Sequence, residues 1–330
     1  DMEKKTPSAF RKVFNLLGKN KAGFATALLL CAATEPLYQI GFTFGYKYIV
    51  NGIEFKNASM LINSAIALLA IVLVYNIIQP ITGYYYEREV YKPTISIERN
   101  LLRSVMQMPL SFFIKTHSGT ILSRVTNDLG SVSQFFKEHC YDIANQIILG
   151  IGALISLILL DIRFLPVIVA FGLISLFINN RFKELFYWLN QRLQIQISKT
   201  NELINDLVDG LPIIKVFRAE KSFQKKFQRG YQDVTDTNDA LNKTVVKKNT
   251  IDTLISSMSF FTILALGVLF YHQKSLTLGD LSAVLGLQGS VVSFFVNLGN
   301  YINNYKSSLA GAQRIFEFLD MEKEDNTSRL

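Results

Sequence analysis

The polar side chains most able to do chemistry in this sequence lie inside long apolar segments. Glu35 falls near the middle of the first segment, and the 3.6-residue period of a helix places it on one face with Tyr38, Phe42 and Tyr46. An ionisable group inside a membrane-crossing helix is energetically costly, which makes it a candidate for function. The alternative is a carboxyl group satisfied by a neighbouring helix, and the sequence leaves both interpretations open.

Two other apolar segments carry polar faces. One bears two side-chain amides, and the last bears serines and asparagines spaced by three or four residues. Such a stripe lines a water-accessible cavity or bonds to another helix, and its length of about four turns favours the cavity. The predicted substrate cavity comprises Glu35, Tyr38, Asn76, Gln79, Ser293, Asn297 and Asn300, and Ser290 and Asn304 extend its last face.

Motifs for catalysis, metal binding and nucleotide binding are missing from the sequence. Its three histidines, His117, His139 and His272, are scattered and form no metal-ligand pair. There is no serine–histidine–aspartate arrangement and no G-x-x-x-x-G-K-[ST] phosphate loop. We therefore expect no catalytic residue, no metal and no cofactor in this chain.

Hydropathy indicates an all-α membrane protein. Hydrophobic residues make up 49% of the chain and cluster into six segments, most near or above the roughly 20 residues that cross a bilayer. A soluble helical protein would need polar faces that most of these segments lack. The predicted transmembrane helices cover residues 22–50, 61–86, 142–160, 164–182, 251–271 and 281–301.

The distribution of positive charge predicts the orientation. Thirty of the 34 Lys and Arg residues fall in residues 1–21, 87–140, 181–250 and the tail after 301, so both termini and the two long loops, 87–141 and 183–250, should face the cytoplasm. Topology and anionic lipid account for the net charge of +8 without nucleic acid. Both cysteines, Cys31 and Cys140, lie toward the reducing side, where no disulfide is expected.

Each long cytoplasmic loop has the pattern of a helical hairpin. A helix over about 61–108 should end before Pro109, a short helix should follow a turn at 116–119, and Asn127 or Asp128 can cap the returning helix. In the second loop, Gly210 and Pro212 should break the rising helix and leave an apolar tip at 213–217. The alternative for the first loop is a solvated connection between two spans.

The stretch MPLSFFIKTHSGTILSRVTNDLGSV at 108–132 resembles the first intracellular loop of type IV ABC exporters, the group that contains lipid A flippases and many multidrug and peptide exporters. SSLAGAQRIFEFLD at 307–320 is similar to the segment that leaves the membrane domain of these proteins. In the second loop Lys215, Phe217 and Glu220 match the family pattern, whereas Asp206 stands where the family usually has Glu.

The resemblance implies coupling helices, which are cytoplasmic segments that dock on nucleotide-binding domains. Its first coupling helix would comprise Thr116, His117, Ser118, Gly119, Thr120, Ser123 and Arg124. Its second would comprise Gly210, Leu211, Pro212, Ile213, Ile214, Lys215 and Phe217, and would cross to a partner subunit.

The same resemblance implies a domain plan and a function. Residues 1–20 would form an interfacial elbow helix, 21–320 the six-helix transmembrane domain, and 321–330 a linker toward a nucleotide-binding domain that binds ATP and Mg²⁺. That domain would be fused in a longer protein, the favoured alternative, or be a separate chain. The expected protein is a dimeric, ATP-driven exporter of an amphiphilic lipid, drug or peptide in the bacterial inner membrane.

A six-span channel or receptor is the competing interpretation. The sequence has no repeated arginines of a voltage sensor and no Thr-Val-Gly-Tyr-Gly filter. Two long loops with hairpin tips have no obvious use in a simple pore. The sequence therefore favours the exporter but does not name its cargo, nor distinguish a homodimer from a heterodimer.

Overall fold

The computed structural model describes residues 20–115 and 124–319, and within these ranges the chain forms helices joined by short turns. Six helices in the described chain exceed twenty residues: α1 (Lys21–Glu54), α2 (Ala58–Met106), α5 (Cys140–Asp161), α6 (Leu165–Val216), α7 (Glu220–His272) and α8 (Leu278–Leu319). Two short helices, α3 (Leu110–Lys115) and α4 (Leu129–Gln134), belong to the first long loop.

Several predicted features lie outside the described residues. These are the elbow helix over 1–20 apart from residue 20, the linker over 321–330, and the first coupling helix except Arg124. Arg124 opens a π-helical turn over Arg124–Asp128.

Helix α2 confirms the expected long helix that continues well beyond the second predicted span. It runs for 49 residues and ends at Met106, shortly before Pro109. Pro80 and Pro93 lie inside it without ending it. The side chain of Asn57 caps its start by accepting a hydrogen bond from the Met60 amide at 3.1 Å.

Four helical segments of the described chain are long and apolar enough to cross a membrane: Ala58–Met106, Thr126–Val216, Glu220–His272 and Leu278–Asn297. The second joins α4, α5 and α6 in one run, and therefore contains the third and fourth predicted spans. Helix α1 is not among the four, because Glu35, Gln39 and several tyrosines lower its mean hydropathy. The apolar helices indicate a membrane protein.

The chain divides into two compact units, Asp1–Val169 with Thr262–Leu330, and Ala170–Phe261. In the first unit, buried side chains form two clusters. One surrounds Phe24, Tyr86 and Phe136, and the Tyr86 hydroxyl donates a hydrogen bond to the carbonyl of Phe136. The other surrounds Phe164 and Leu287. Because lipid gives no hydrophobic drive between helices, close side-chain packing of this kind holds them together.

The second unit is a pair of helical segments from α6 and α7. Asp252 joins them by accepting hydrogen bonds from Ser175 at 3.3 Å and Asn179 at 3.2 Å. Lys248 neutralises the same carboxylate at 3.1 Å. Farther along, the backbone of Gly230 packs beside Leu203, where an added Cβ would lie 3.1 Å from a leucine methyl carbon.

Two predicted helix boundaries were wrong. Asp128 makes no capping hydrogen bond, because the chain is already helical over Arg124–Asp128 and offers no helix start there. In the second loop, α6 continues through Gly210 and Pro212 to Val216. It ends in a Schellman motif, in which the Ala219 amide donates to the Ile214 carbonyl at 3.0 Å.

Candidate functional site

Glu35 lies on α1 and faces two polar side chains of α5. Its Oε2 accepts hydrogen bonds from the Tyr141 hydroxyl at 3.4 Å and from Asn145 Nδ2 at 3.3 Å. Asn145 also donates to the carbonyl of Ala32, one turn earlier on α1, at 3.2 Å. Both partners contact the same carboxylate oxygen, and the Glu35 side chain is otherwise exposed.

Aromatic side chains of α1 and α2 form a cluster that begins one turn after Glu35. Tyr38, three residues after Glu35, stacks on Tyr75 of α2 with ring centroids 4.1 Å apart and an angle of 22° between the planes. Tyr38 also contacts Phe42, one turn along α1, at 5.9 Å. Tyr75 lies within electrostatic range of Glu35. The acidic and aromatic face predicted on α1 is therefore completed by rings from α2 and α5.

An apolar cleft of about 470 Å³ lies between α1 and α2, with Tyr38 and Tyr75 in its wall. Leu37, Val74 and Ile78 supply much of the rest of its lining. Its size falls within the roughly 300–1,000 Å³ of ordinary ligand pockets. The cleft therefore offers space for an apolar group against the Tyr38–Tyr75 pair.

The other predicted cavity residues take different positions. Asn76 and Gln79 are exposed on α2, and Asn76 Nδ2 donates to the Val72 carbonyl of its own helix at 2.8 Å. In the described part of the chain, no hydrogen bond joins either amide to Glu35 or Tyr38. On α8, Asn297 Nδ2 donates to Ser293 Oγ at 3.0 Å.

Ser290 begins the same α8 face and is buried. The side chains of Asn300 and Asn304 lie outside the described residues. Tyr301 is half-buried and within electrostatic range of Glu35. The polar face of α8 therefore starts at a buried serine, and Tyr301, near the other end of that face, lies within electrostatic range of the Glu35 carboxylate.

Sequence reasoning did not single out Tyr75, Tyr141 or Asn145. The sequence held one signal for two of them. Tyr141 and Asn145 lie about one turn apart at the start of α5, and polar groups in an apolar helix need partners. The pairing of Tyr141 and Asn145 with Glu35 was not predictable, because more than a hundred residues separate each of these two from Glu35.

The returning part of the first long loop is fixed to α8. Asp128 is 7% exposed and accepts hydrogen bonds from Arg314 Nε at 2.9 Å and Nη2 at 2.6 Å. The ring of Phe112 on α3 contacts Phe318 at 5.9 Å. Charge-assisted bonds to a buried carboxylate are strong, so the end of α8 is held against both sides of this loop.

The hairpin of the second long loop ends in exposed apolar residues. Val216 is 77% exposed and Phe217 76% exposed at the turn between α6 and α7. Lys215 Nζ lies 3.3 Å from Glu220 Oε1 across this turn. The backbone amide of Glu220 and then the Lys215 ammonium hold the pKa of the Glu220 carboxyl below its usual value. An apolar tip outside the predicted spans has no lipid to cover it and is typical of a protein-docking surface.

A family model described as the ABC transporter transmembrane region matches residues 25–294. The chain belongs to this family. Its helices, membrane-crossing segments and two long hairpin loops agree with the transmembrane domain of a type IV ABC exporter.

Curated relatives of this ABC exporter domain match most or all of its length. An uncharacterized ABC transporter ATP-binding protein, YfiC, of Bacillus subtilis is 25% identical over 98% of the chain and 53% of its own length. ATP-dependent lipid A-core flippases of Wigglesworthia glossinidia brevipalpis and Yersinia pestis are 23% and 22% identical, over 84% and 100% of the chain and 48% and 57% of their own lengths. The chain thus spans about half the length of these relatives.

Proposed function

We propose that this domain is the membrane-spanning half of an ATP-driven exporter that moves an amphiphilic substrate by alternating access. The observation that carries the proposal is the exposed apolar tip at Val216 and Phe217, in a chain of the ABC transporter transmembrane family. Such a tip suits docking on an ATPase domain, and the names of the relatives include ATP binding and flippase activity.

The proposed assembly has two transmembrane domains and two nucleotide-binding domains. Each transmembrane domain contributes six spans, with both termini in the cytoplasm and the protein in the bacterial inner membrane. ATP and Mg²⁺ bind in the nucleotide-binding domains, which share a polypeptide with this domain or are separate chains. The residues of the present chain supply the substrate path and the coupling surfaces, and none of them performs hydrolysis.

Reconstitution in proteoliposomes tests this function. The transmembrane domain together with its nucleotide-binding domains should move a fluorescent lipid analogue or dye against its gradient in the presence of ATP, while residues 1–330 alone should show no ATP turnover. Flux that dissipates the gradient without ATP would indicate a channel instead. Hydrolysis of ATP by residues 1–330 would show that the chemistry has been assigned to the wrong domain.

A further inference from the structure

The Glu35 carboxylate has no basic partner in the described part of the chain. Tyr141 and Asn145 donate only long hydrogen bonds to it, and no lysine or arginine pairs with it. The sequence also places no lysine or arginine within 22–46, 57–87, 138–162, 164–180, 249–273 or 275–305.

A negative charge at membrane depth is stabilised when a cation pairs with it. The side chain of Glu35 is exposed, so its carboxylate is open to a ligand as well as to its two hydrogen-bond donors. The stacked rings of Tyr38 and Tyr75 lie next to it. Aromatic faces attract cations by their quadrupole, and most strongly where water is excluded.

The apolar cleft adjoins the same rings. Tyr38 and Tyr75 line the cleft of about 470 Å³, and its other walls are mostly aliphatic. A ligand held by the carboxylate and the tyrosine pair can therefore place an apolar body in the cleft. An anionic amphiphile would set its charge against Glu35 and is disfavoured there.

We infer that Glu35, Tyr38, Tyr75 and the α1–α2 cleft form a binding site for lipophilic organic cations. The Glu35 carboxylate neutralises the charge of the ligand, and the rings of Tyr38 and Tyr75 contact its cationic group. The α1–α2 cleft holds the apolar groups of the ligand. The inference rests on the proposed exporter function and names the substrate class of its membrane cavity. Charge complementarity between an unpaired carboxylate and a cation is the observation that selects this class.

Calorimetric binding to the complete transporter, with its nucleotide-binding domains and in lipid nanodiscs, tests the site. The probes are methyltriphenylphosphonium, a cation, and triphenylphosphine oxide, a neutral molecule of nearly the same size, each corrected for uptake by empty nanodiscs. The wild-type transporter should bind the cation about tenfold more tightly than the oxide, because a partly desolvated charge pair exceeds a neutral contact.

Glu35→Gln preserves side-chain size and should remove most of this preference, lowering the affinity for the cation about tenfold while leaving that for the oxide unchanged. Tyr75→Leu keeps an apolar cleft wall and should weaken cation binding without altering the charge of the site. Glu98→Gln removes an exposed carboxylate of α2 outside the predicted spans, and should leave both affinities unchanged.

Equal affinities of the wild-type transporter for the two probes, or a cation affinity unchanged by Glu35→Gln, would overturn the inference. Loss of cation preference in Glu98→Gln as well would overturn it too, because the effect would then not be local to Glu35. ATP-driven movement of a neutral fluorescent lipid analogue by the same wild-type sample tests the exporter function separately. Transport without cation preference rejects the site but keeps the function, whereas absence of any ATP-driven transport rejects the function.

Discussion

At the scale of single residues, three basic side chains hold the left-handed positions that end long helices. Lys56, Arg218 and Lys274 have φ values of 50°, 50° and 56°. Each follows a helix whose last carbonyls are satisfied by Schellman hydrogen bonds, such as the Ser275 amide to the Phe270 carbonyl at 3.1 Å. A Cβ in this conformation costs about 1 kcal/mol relative to glycine. The positive charge offsets part of that strain at the negative end of the helix dipole.

Arg218→Gly should therefore stabilise the second hairpin by up to about 1 kcal/mol, because glycine adopts φ near 50° without strain. The measurement is the thermal midpoint of the purified transporter by intrinsic fluorescence. Arg229→Gly, an exposed position inside α7, is the matched control and should lower the midpoint, since glycine within a helix costs about 1 kcal/mol. Destabilisation by both variants would contradict the strain argument.

At the scale of elements, the end of α1 supports the beginning of α8. Asn51 Oδ1 accepts a hydrogen bond from the Gly279 amide at 2.9 Å, and Glu54 Oε2 accepts one from the Leu278 amide at 2.8 Å. Lys47 pairs with Asp280 at 2.7 Å. Amides at a helix start lack partners within their own helix, so side chains of α1 satisfy them. A Cβ at 279 would lie 2.3 Å from the Lys47 carbonyl oxygen.

Gly279→Ala should destabilise the protein by about 2 kcal/mol or more, because the close approach of the α8 backbone to α1 leaves no room for a methyl group. Gly83→Ala is the matched control, since a Cβ at 83 would meet nothing within 4 Å. The control should leave the thermal midpoint unchanged or raise it, as alanine favours a helix by up to about 1 kcal/mol. Equal midpoints for the two variants would show that the contact is not tight.

Exposed apolar residues of the two long loops should couple the membrane domain to ATP hydrolysis. Phe217→Asp or Phe113→Ala should leave the membrane domain folded but lower the amount of substrate moved per ATP hydrolysed, because each removes an exposed apolar group proposed to dock on a nucleotide-binding domain. Transport and hydrolysis are measured on the same proteoliposomes. Gln228→Asp places a charge at an exposed polar position of α7 and serves as the control. An unchanged ratio in both tip variants would contradict a coupling role.

At the scale of the whole molecule, the water accessibility of the polar face of α8 tests alternating access. Single cysteines at 293, 297 and 300, introduced after removal of Cys31 and Cys140, should react with a membrane-impermeant thiol reagent to an extent that changes with nucleotide state. The expectation follows from a face with two half-buried polar residues, Ser293 and Asn297, in a domain proposed to open to each side in turn. Cysteines at 292 and 295 are the controls. If the test positions and the controls all stayed unlabelled in every nucleotide state, the result would favour contacts between helices over a cavity.

The amino-acid sequence by itself determined the helical, membrane-embedded character of this chain and its family. Hydropathy and basic residues are local properties, and α2 could be traced from 61 to about 108 because few residues there interrupt a helix. Glu35 stood out for the same local reason, as a carboxylate inside an apolar segment. The end of α6 was misplaced, because a glycine and a proline disfavour a helix only locally and the Schellman motif two turns later sets its end.

Only the tertiary structure decided which side chains share the site. Glu35 meets Tyr141 and Asn145 from 106 and 110 residues away, and Asp128 meets Arg314 from 186 residues away. Such pairs depend on how the helices pack and rotate against one another, and helical periodicity gives the face of a residue without naming the helix opposite. For that reason the acidic and aromatic face could be read from α1 alone, whereas its cleft and its hydrogen-bond donors came from α2 and α5.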